Sequence, residues 1–280
     1  MSERRLLSVH KAYREDIGDL VTRRPLPGPG LEQIDPFLFL NHHGPQTYPP
    51  NNNGLPFGPH PHRGFETVTF ILDGNLAHLD SSGGESVIEA GGVQWMTAGR
   101  GLVHAEISPD SFKSSGGPLE ILQLWVNLPS RLKMTEPRYQ GIEATEIPEK
   151  HISSGVVMRP VSGTEGAPIR SLMDITLATV AMEAGSNASL NAPGGHTVFF
   201  YVVRGSLDAG GGTIPEHHLA RFDDGETIEI SSENGCLILF GHAKPIDEPV
   251  VSHGPFVMNT RDEIMEAIRD YQAGKFGEIA

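Results

Sequence analysis

The chain has 280 residues, enough for about two domains of ~150 residues and for a buried core without disulfides. Hydrophobic residues make up 38% and charged residues 20%, which excludes a disordered chain, and the 33 Gly and 22 Pro carry no period, which excludes collagen. Lys and Arg number 21 against 35 Asp and Glu, and a net charge of −14 repels phosphate backbones, so direct nucleic-acid binding is not expected.

Scattered Gly and Pro between short apolar runs predict many tight turns and short strands. From about Gly64 to Leu128 the chain reads as strands. Thr67–Leu72 opens by alternating polar with apolar residues and is rich in β-branched side chains, and Asp73-Gly74-Asn75 is a turn signal. Leu76–Leu79, Ser86–Glu89, Val93–Thr97 and Glu120–Leu128 follow. Pro129, Pro137, Gly141 and Pro148 mark a connection, which divides the chain into domains 1–140 and 141–280. In the second half Ile175–Val180, His196–Val203, Gly205–Leu207, His218–Phe222, Thr227–Ile230 and Cys236–Phe240 are candidate strands. Short strands at this spacing predict sandwiches or small barrels, and the two halves read as divergent copies of one β-fold.

A helix is expected over about 261–273. Thr260 and Glu263 have capping-box spacing, Ile264, Ile268 and Tyr271 form an apolar stripe, and Gly274 stands at the end. The single cysteine, Cys236, lies in an apolar run and is expected to be a buried, inert thiol. Met1–Ser8 has no secretory apolar region, and runs such as Val198–Val203 are too short to span a bilayer. The expectation is a cytoplasmic protein with no membrane partner.

Two clusters carry chemistry. In His60-Pro61-His62 the imidazoles lie at i and i+2, which on an extended strand face the same way about 6.6 Å apart. His104-Ala105-Glu106 repeats that geometry with one imidazole and one carboxylate, after a turn permitted by Gly99 and Gly101. Alone, each has a plain alternative: two solvated histidines in a Pro-rich loop, and a surface His–Glu contact. Together they offer three nitrogens and one oxygen. Ligation of that kind, without thiolate, suits Fe, Mn, Co, Ni or Cu better than a closed structural Zn site. An octahedral ion there keeps two open positions. The histidines of the second half, His196, His217, His218, His242 and His253, lack this spacing, and no metal is expected there.

These segments are recognisable. The sequence resembles the pirin family of the cupin superfamily through Asp35–Leu38, His60–Val68, Val93–Gly101, Val103-His104, Leu122–Pro129 and Glu136–Gln140. Glu248–Val251, Gly254–Thr260 and Asp270–Gly277 extend the match, so it spans nearly the whole chain. The string His-Pro-His-Arg-Gly-Phe-Glu-Thr is its most specific part. The resemblance implies an all-β fold of two stacked cupin barrels (double-stranded β-helix, or jelly roll) with a short C-terminal α-helix. It implies one mononuclear divalent ion, Fe(II), in the N-terminal barrel, with the ligands falling by position on His60, His62, His104 and Glu106. It further implies a quercetin 2,3-dioxygenase-like enzyme acting on flavonol-type or other enolisable aromatic compounds. A small planar aromatic substrate and dioxygen are then the partners, and Glu106 is the candidate base. The same resemblance allows a second role, a redox-sensitive interaction protein that binds a regulator or a metabolic enzyme. Gly54, His60, His62 and Glu66 fit the general cupin first motif; Glu66 is read as a support behind the ligands or as a partner of Arg63. Phe57, Phe65, Trp95 and Trp125 are candidates to line a substrate pocket, with burial in the core as their plain alternative.

Overall fold

A computed structural model describes residues 2–279. Contacts group the chain into two units, one of residues 14–23, 37–144 and 246–280, the other of residues 1–13, 24–36 and 145–245. The division near residue 144 lies within the Pro-rich connection, but the ends do not follow a contiguous split at 140. The strand Leu6–Lys11 pairs antiparallel with His218–Phe222, and the C-terminal helix packs with Val103, so chain ends cover elements remote in sequence.

In the first unit two antiparallel sheets face each other. The larger contains, in order, Arg138–Ile142, Val93–Thr97, Phe65–Asp73, Gly117–Asn127 and Phe37–Tyr48; the smaller is Phe57–His62, Leu102–Ile107, Asn75–Asp80 and Glu85–Glu89. Strand alternation sorts the side chains. On Gly117–Asn127, Leu122, Leu124 and Val126 are fully buried on one face, while Gln123 and Trp125 are half-buried on the other. An apolar cluster that includes Leu20, Ile71, Leu76, Phe112 and Ile121 fills part of the space between the sheets.

The helix Arg261–Gln272 starts as its sequence dictates. Thr260 Oγ1 accepts from the Glu263 backbone N–H at 3.2 Å, and the Glu263 carboxylate accepts from the Thr260 N–H at 2.8 Å. Its buried stripe is Ile264, Ala267 and Ile268, packed with Val103, Phe256, Met258 and Phe276. Tyr271, expected in that stripe, is 42% exposed.

The second unit is one extended antiparallel system. Its order runs Leu6–Lys11, His218–Phe222, Thr197–Ala209, Cys236–Ala243, Ile175–Met182, Val156–Ser162 and Lys150–Ser153. The strands expected at His196–Val203 and Gly205–Leu207 are one strand, Thr197–Ala209. A register shift between Val202 and Arg204 bends it, and Gly205 at φ +79° sits where a Cβ would meet Gly235 O at 2.2 Å. Its interior is apolar, centred on Val198, Phe200, Phe222, Ile228, Ile238 and Phe240. Cys236 borders this core, and burial raises its thiol pKa, as an inert thiol requires. No helix among the described residues is long and apolar enough to cross a membrane.

One buried histidine makes this unit acid-sensitive. His242 lies 3.1 Å from the His196 ring (Nδ1 to Nδ1), and burial, then the charges of His196 and Arg4, lower its pKa from 6.5 to about 4. As pH falls through 6.5 the unfolded chain binds a proton that the native one refuses until about pH 4, so stability falls across that window. The full effect is on the order of 3 kcal/mol. Urea unfolding from pH 7 to pH 4 is expected to show a shallower loss for His242→Gln than for the natural chain; equal slopes would contradict this assignment.

Candidate metal centre

The two histidine clusters meet because their strands pair. Leu102–Ile107 runs antiparallel to Phe57–His62 with His104 opposite His60 and Leu102 opposite His62. Residues directly across an antiparallel ladder share a face, so His60, His62, His104 and Glu106 lie on one side of the smaller sheet. That side faces the larger sheet, since Thr69 and Gln123 of the larger sheet both reach Glu106. One ligand-type nitrogen each of His60, His62 and His104 lies within 4.8 Å of the others. The rings are tilted toward one another, with centroids 4.4 to 4.9 Å apart.

Hydrogen bonds leave nitrogens free to converge. His60 Nδ1 lies 2.7 Å from Gly58 O and donates to it, which leaves Nε2 as a lone-pair donor. His62 Nδ1 faces Pro255 O at 3.4 Å. His104 is fully buried, and neither of its nitrogens has a hydrogen-bond partner. Such an orphan inside a protein costs about 1–3 kcal/mol and calls for a partner outside the chain's own groups. Burial, then the charge of His60, drives the His62 pKa down to about 3. Burial, then His62, His60 and His78, holds His104 well below its usual value. All of this keeps His62 and His104 in the neutral form that binds metals. Three convergent imidazoles, two of them held neutral by burial, fit a divalent transition metal.

Glu106 is buried on the same sheet face but stands outside the group of ligand atoms that lie within 4.8 Å of one another, and it is held on both carboxylate oxygens. Thr69 Oγ1 donates to Oε1 at 2.8 Å, and the Gln123 amide donates to Oε2. Across the ladder from Glu106 stands His78, whose Nε2 donates to Asp80 Oδ2 at 2.9 Å and whose ring stacks on Tyr139 at 3.9 Å. Burial alone would raise the Asp80 pKa, but hydrogen bonds from His78, Ser82 and Gly84 outweigh it and hold the carboxyl at about 2. His78-Leu79-Asp80 repeats the i, i+2 spacing of the other two clusters and was open to the same reading. Thr69 and Gln123 gave no such signal, because their role depends on which strands face each other.

Glu66 behaves differently from its expectation. It alternates with Phe65 and Thr67 and so projects from the opposite face of the larger sheet, where it accepts from Thr97 Oγ1 at 2.6 Å. Burial raises its pKa, partly offset by bonds from Thr97 and Trp95. Arg63 turns instead to Arg100 O at 2.6 Å and to Asp270 Oδ2 at 2.9 Å. Trp95 lies opposite Val68, on that same far face, and lines no pocket at the histidines. Trp125 and Phe65 do reach them: Trp125 stands 5.3 Å from the His62 ring, Phe65 4.9 Å, and Phe39 stacks on Trp125 at 4.6 Å. Phe57 is half-buried against His43, at 5.3 Å. Half-buried Phe39, Trp125, Gln123 and His60 thus border fully buried His62, His104 and Glu106.

Comparison with known proteins places this architecture. The model of the pirin family matches residues 19–126, and that of the pirin C-terminal cupin domain matches residues 177–277. A Pseudomonas aeruginosa protein bearing the name "Putative quercetin 2,3-dioxygenase" is 40% identical over 250 residues, covering 88% of this chain and 87% of its own. Human pirin is 37% identical over 277 residues, covering 94% and 90%. A crystal structure of quercetin 2,3-dioxygenase from Acinetobacter baumannii superposes over all of both chains with a TM-score of 0.93 at 34% identity. The fold is all-β with two cupin domains and a short C-terminal helix. The chain belongs to the pirin family.

The orphaned nitrogens of His104 yield a stability test. Replacing a buried polar group that lacks a partner by an apolar one of similar size is close to neutral or favourable. Chelator-treated His104→Leu is therefore expected to unfold at the same temperature as the natural chain or higher. Added Co(II) should raise the midpoint of the natural chain and leave the variant unchanged.

Proposed function

We propose that this protein is a metal-dependent dioxygenase acting on flavonol-type or other enolisable aromatic compounds, with one divalent ion, Fe(II), held by His60, His62, His104 and Glu106. The observation that carries the reading is the convergence of three imidazoles, one of them wholly without hydrogen-bond partners, on the sheet face that also carries Glu106. The similarity to proteins named for quercetin 2,3-dioxygenase activity supports the substrate class. When bound, the ion supplies Lewis acidity and redox chemistry toward dioxygen.

The chain's own groups do the rest. Glu106 carries the charge that balances the cation and is the base for the substrate's enolic proton, taken at a carboxylate oxygen. Thr69 and Gln123 fix its rotamer, so that proton acceptance occurs at a defined place. Half-buried Phe39 and Trp125, backed by fully buried Phe65, offer flat apolar surface near His62 against which a planar aromatic ring can stack. Burial of His62, His104 and Glu106 limits water at the reacting end.

Iron-loaded protein is expected to consume oxygen with quercetin, and His62→Ala to lose both the ion and the uptake. Glu106→Gln should lower turnover by about 10²–10³-fold while losing proportionally less metal, because a general base contributes on that scale. Elemental analysis paired with an oxygen electrode reads both quantities. Equal uptake by the natural chain and His62→Ala would refute the proposal and favour an interaction role.

A further inference from the structure

We infer that the C-terminal segment from Pro255 to Phe276 is a latch on the two histidine strands, and that Asp270 and Phe276 are positioning residues for the metal centre. The inference rests on the metal-binding reading above and extends it to residues that are not themselves ligands.

The latch grips the chain immediately beside two of the three histidines. Arg63 follows His62 and is 4% exposed. Its guanidinium donates to Asp270 Oδ2 at 2.9 Å and to Arg100 O at 2.6 Å, and lies over the Phe276 ring at 4.7 Å. Val103 precedes His104. Its N–H donates to Ser81 Oγ at 3.0 Å, and that hydroxyl donates to Phe276 O at 2.6 Å. One residue, Phe276, therefore reaches the neighbours of both His62 and His104, directly through its ring over Arg63 and by way of Ser81 through its carbonyl.

The backbone closes the same loop. Arg63 N–H donates to Pro255 O at 3.3 Å, and Val257 N–H donates to Arg63 O at 3.0 Å. Buried Lys133 ties Gly64 O and Val257 O together, each at 2.9 Å. There is no slack: a Cβ at Gly64 would meet Val257 O at 2.0 Å, and one at Gly101 would meet the Phe276 ring at 2.5 Å. Close-packed contacts of this kind transmit displacement rather than absorb it. A shift of the latch must then move His62 relative to His104. Groups that orient metal ligands from behind change affinity about 10–100-fold when removed.

The test is a competition titration of apoprotein with Co(II) against a chelator, together with the visible absorption spectrum of the Co(II) protein. Asp270→Asn and Phe276→Leu are compared with Met265→Ala, a control on the exposed side of the same helix. The latch predicts 10–100-fold weaker binding and an altered Co(II) spectrum in the first two, with neither change in the control. A merely structural segment would lower the unfolding temperature of the variants and leave affinity and spectrum as in the natural chain, and that result would overturn the inference. If Phe276→Leu fails to fold, Asp270→Asn decides alone, since it exchanges one oxygen for an amide. Failure of the natural chain to bind one Co(II), or equal binding by His62→Ala, would overturn the metal reading and the latch with it.

Discussion

The centre depends on a single strand register, the one that sets His60 opposite His104. Side chains on a strand alternate with period 2, so a slip by one residue would turn His104 and Glu106 out of the site together. Two ladders hold that register. On its other side the same strand pairs with Asn75–Asp80, placing His104 against Asp80 and Glu106 against His78. Apolar packing agrees, since Leu102 shares the face of His104 while Val103 packs on the other face with Phe256 and Phe276, and a slip would exchange the two. The placement of the three imidazoles is thus inherited from sheet pairing rather than from loops, the rigid support that a precise site requires.

Such an interior is costly. His62 and His104 lie where charge is penalised, and they meet that penalty by staying neutral. Glu106 is compensated by two donors. His104 is compensated by nothing. The result is a buried cluster with donor atoms to spare, in a chain whose net charge is −14.

What the sequence disclosed and what it hid follow from range. His60-Pro61-His62 and His104-Ala105-Glu106 were legible because strand geometry is local and two residues suffice to read it. The capping box at Thr260 was legible for the same reason. The twelve-residue strand Phe37–Tyr48 was not, because Asn41-His-His-Gly-Pro45 reads as a polar turn, although Asn41, His42 and His43 are in fact buried. Glu66 matched a motif by count but points to the other face. Arg63 found Asp270, 207 residues away, a pairing that no spacing rule contains.

The contrast between the two units separates fold from chemistry. Both are antiparallel β-structures with cupin sequence signatures. In the second, Phe200, Phe222 and Phe240 pack ring to ring at 4.7 to 5.4 Å in the interior, and its buried histidine, His242, sits at the margin of that packing beside Phe240. An interior filled in this way is held by dispersion and apolar burial. The first unit places polar side chains on the corresponding kind of surface and is left with unsatisfied nitrogens. Freedom to carry such a cost exists because stability is supplied elsewhere, by clusters such as the one around Ile71, Phe112 and Ile121 and by the capped C-terminal helix. The same architecture therefore accommodates two kinds of interior, and the residues that line it, not the fold, set the difference.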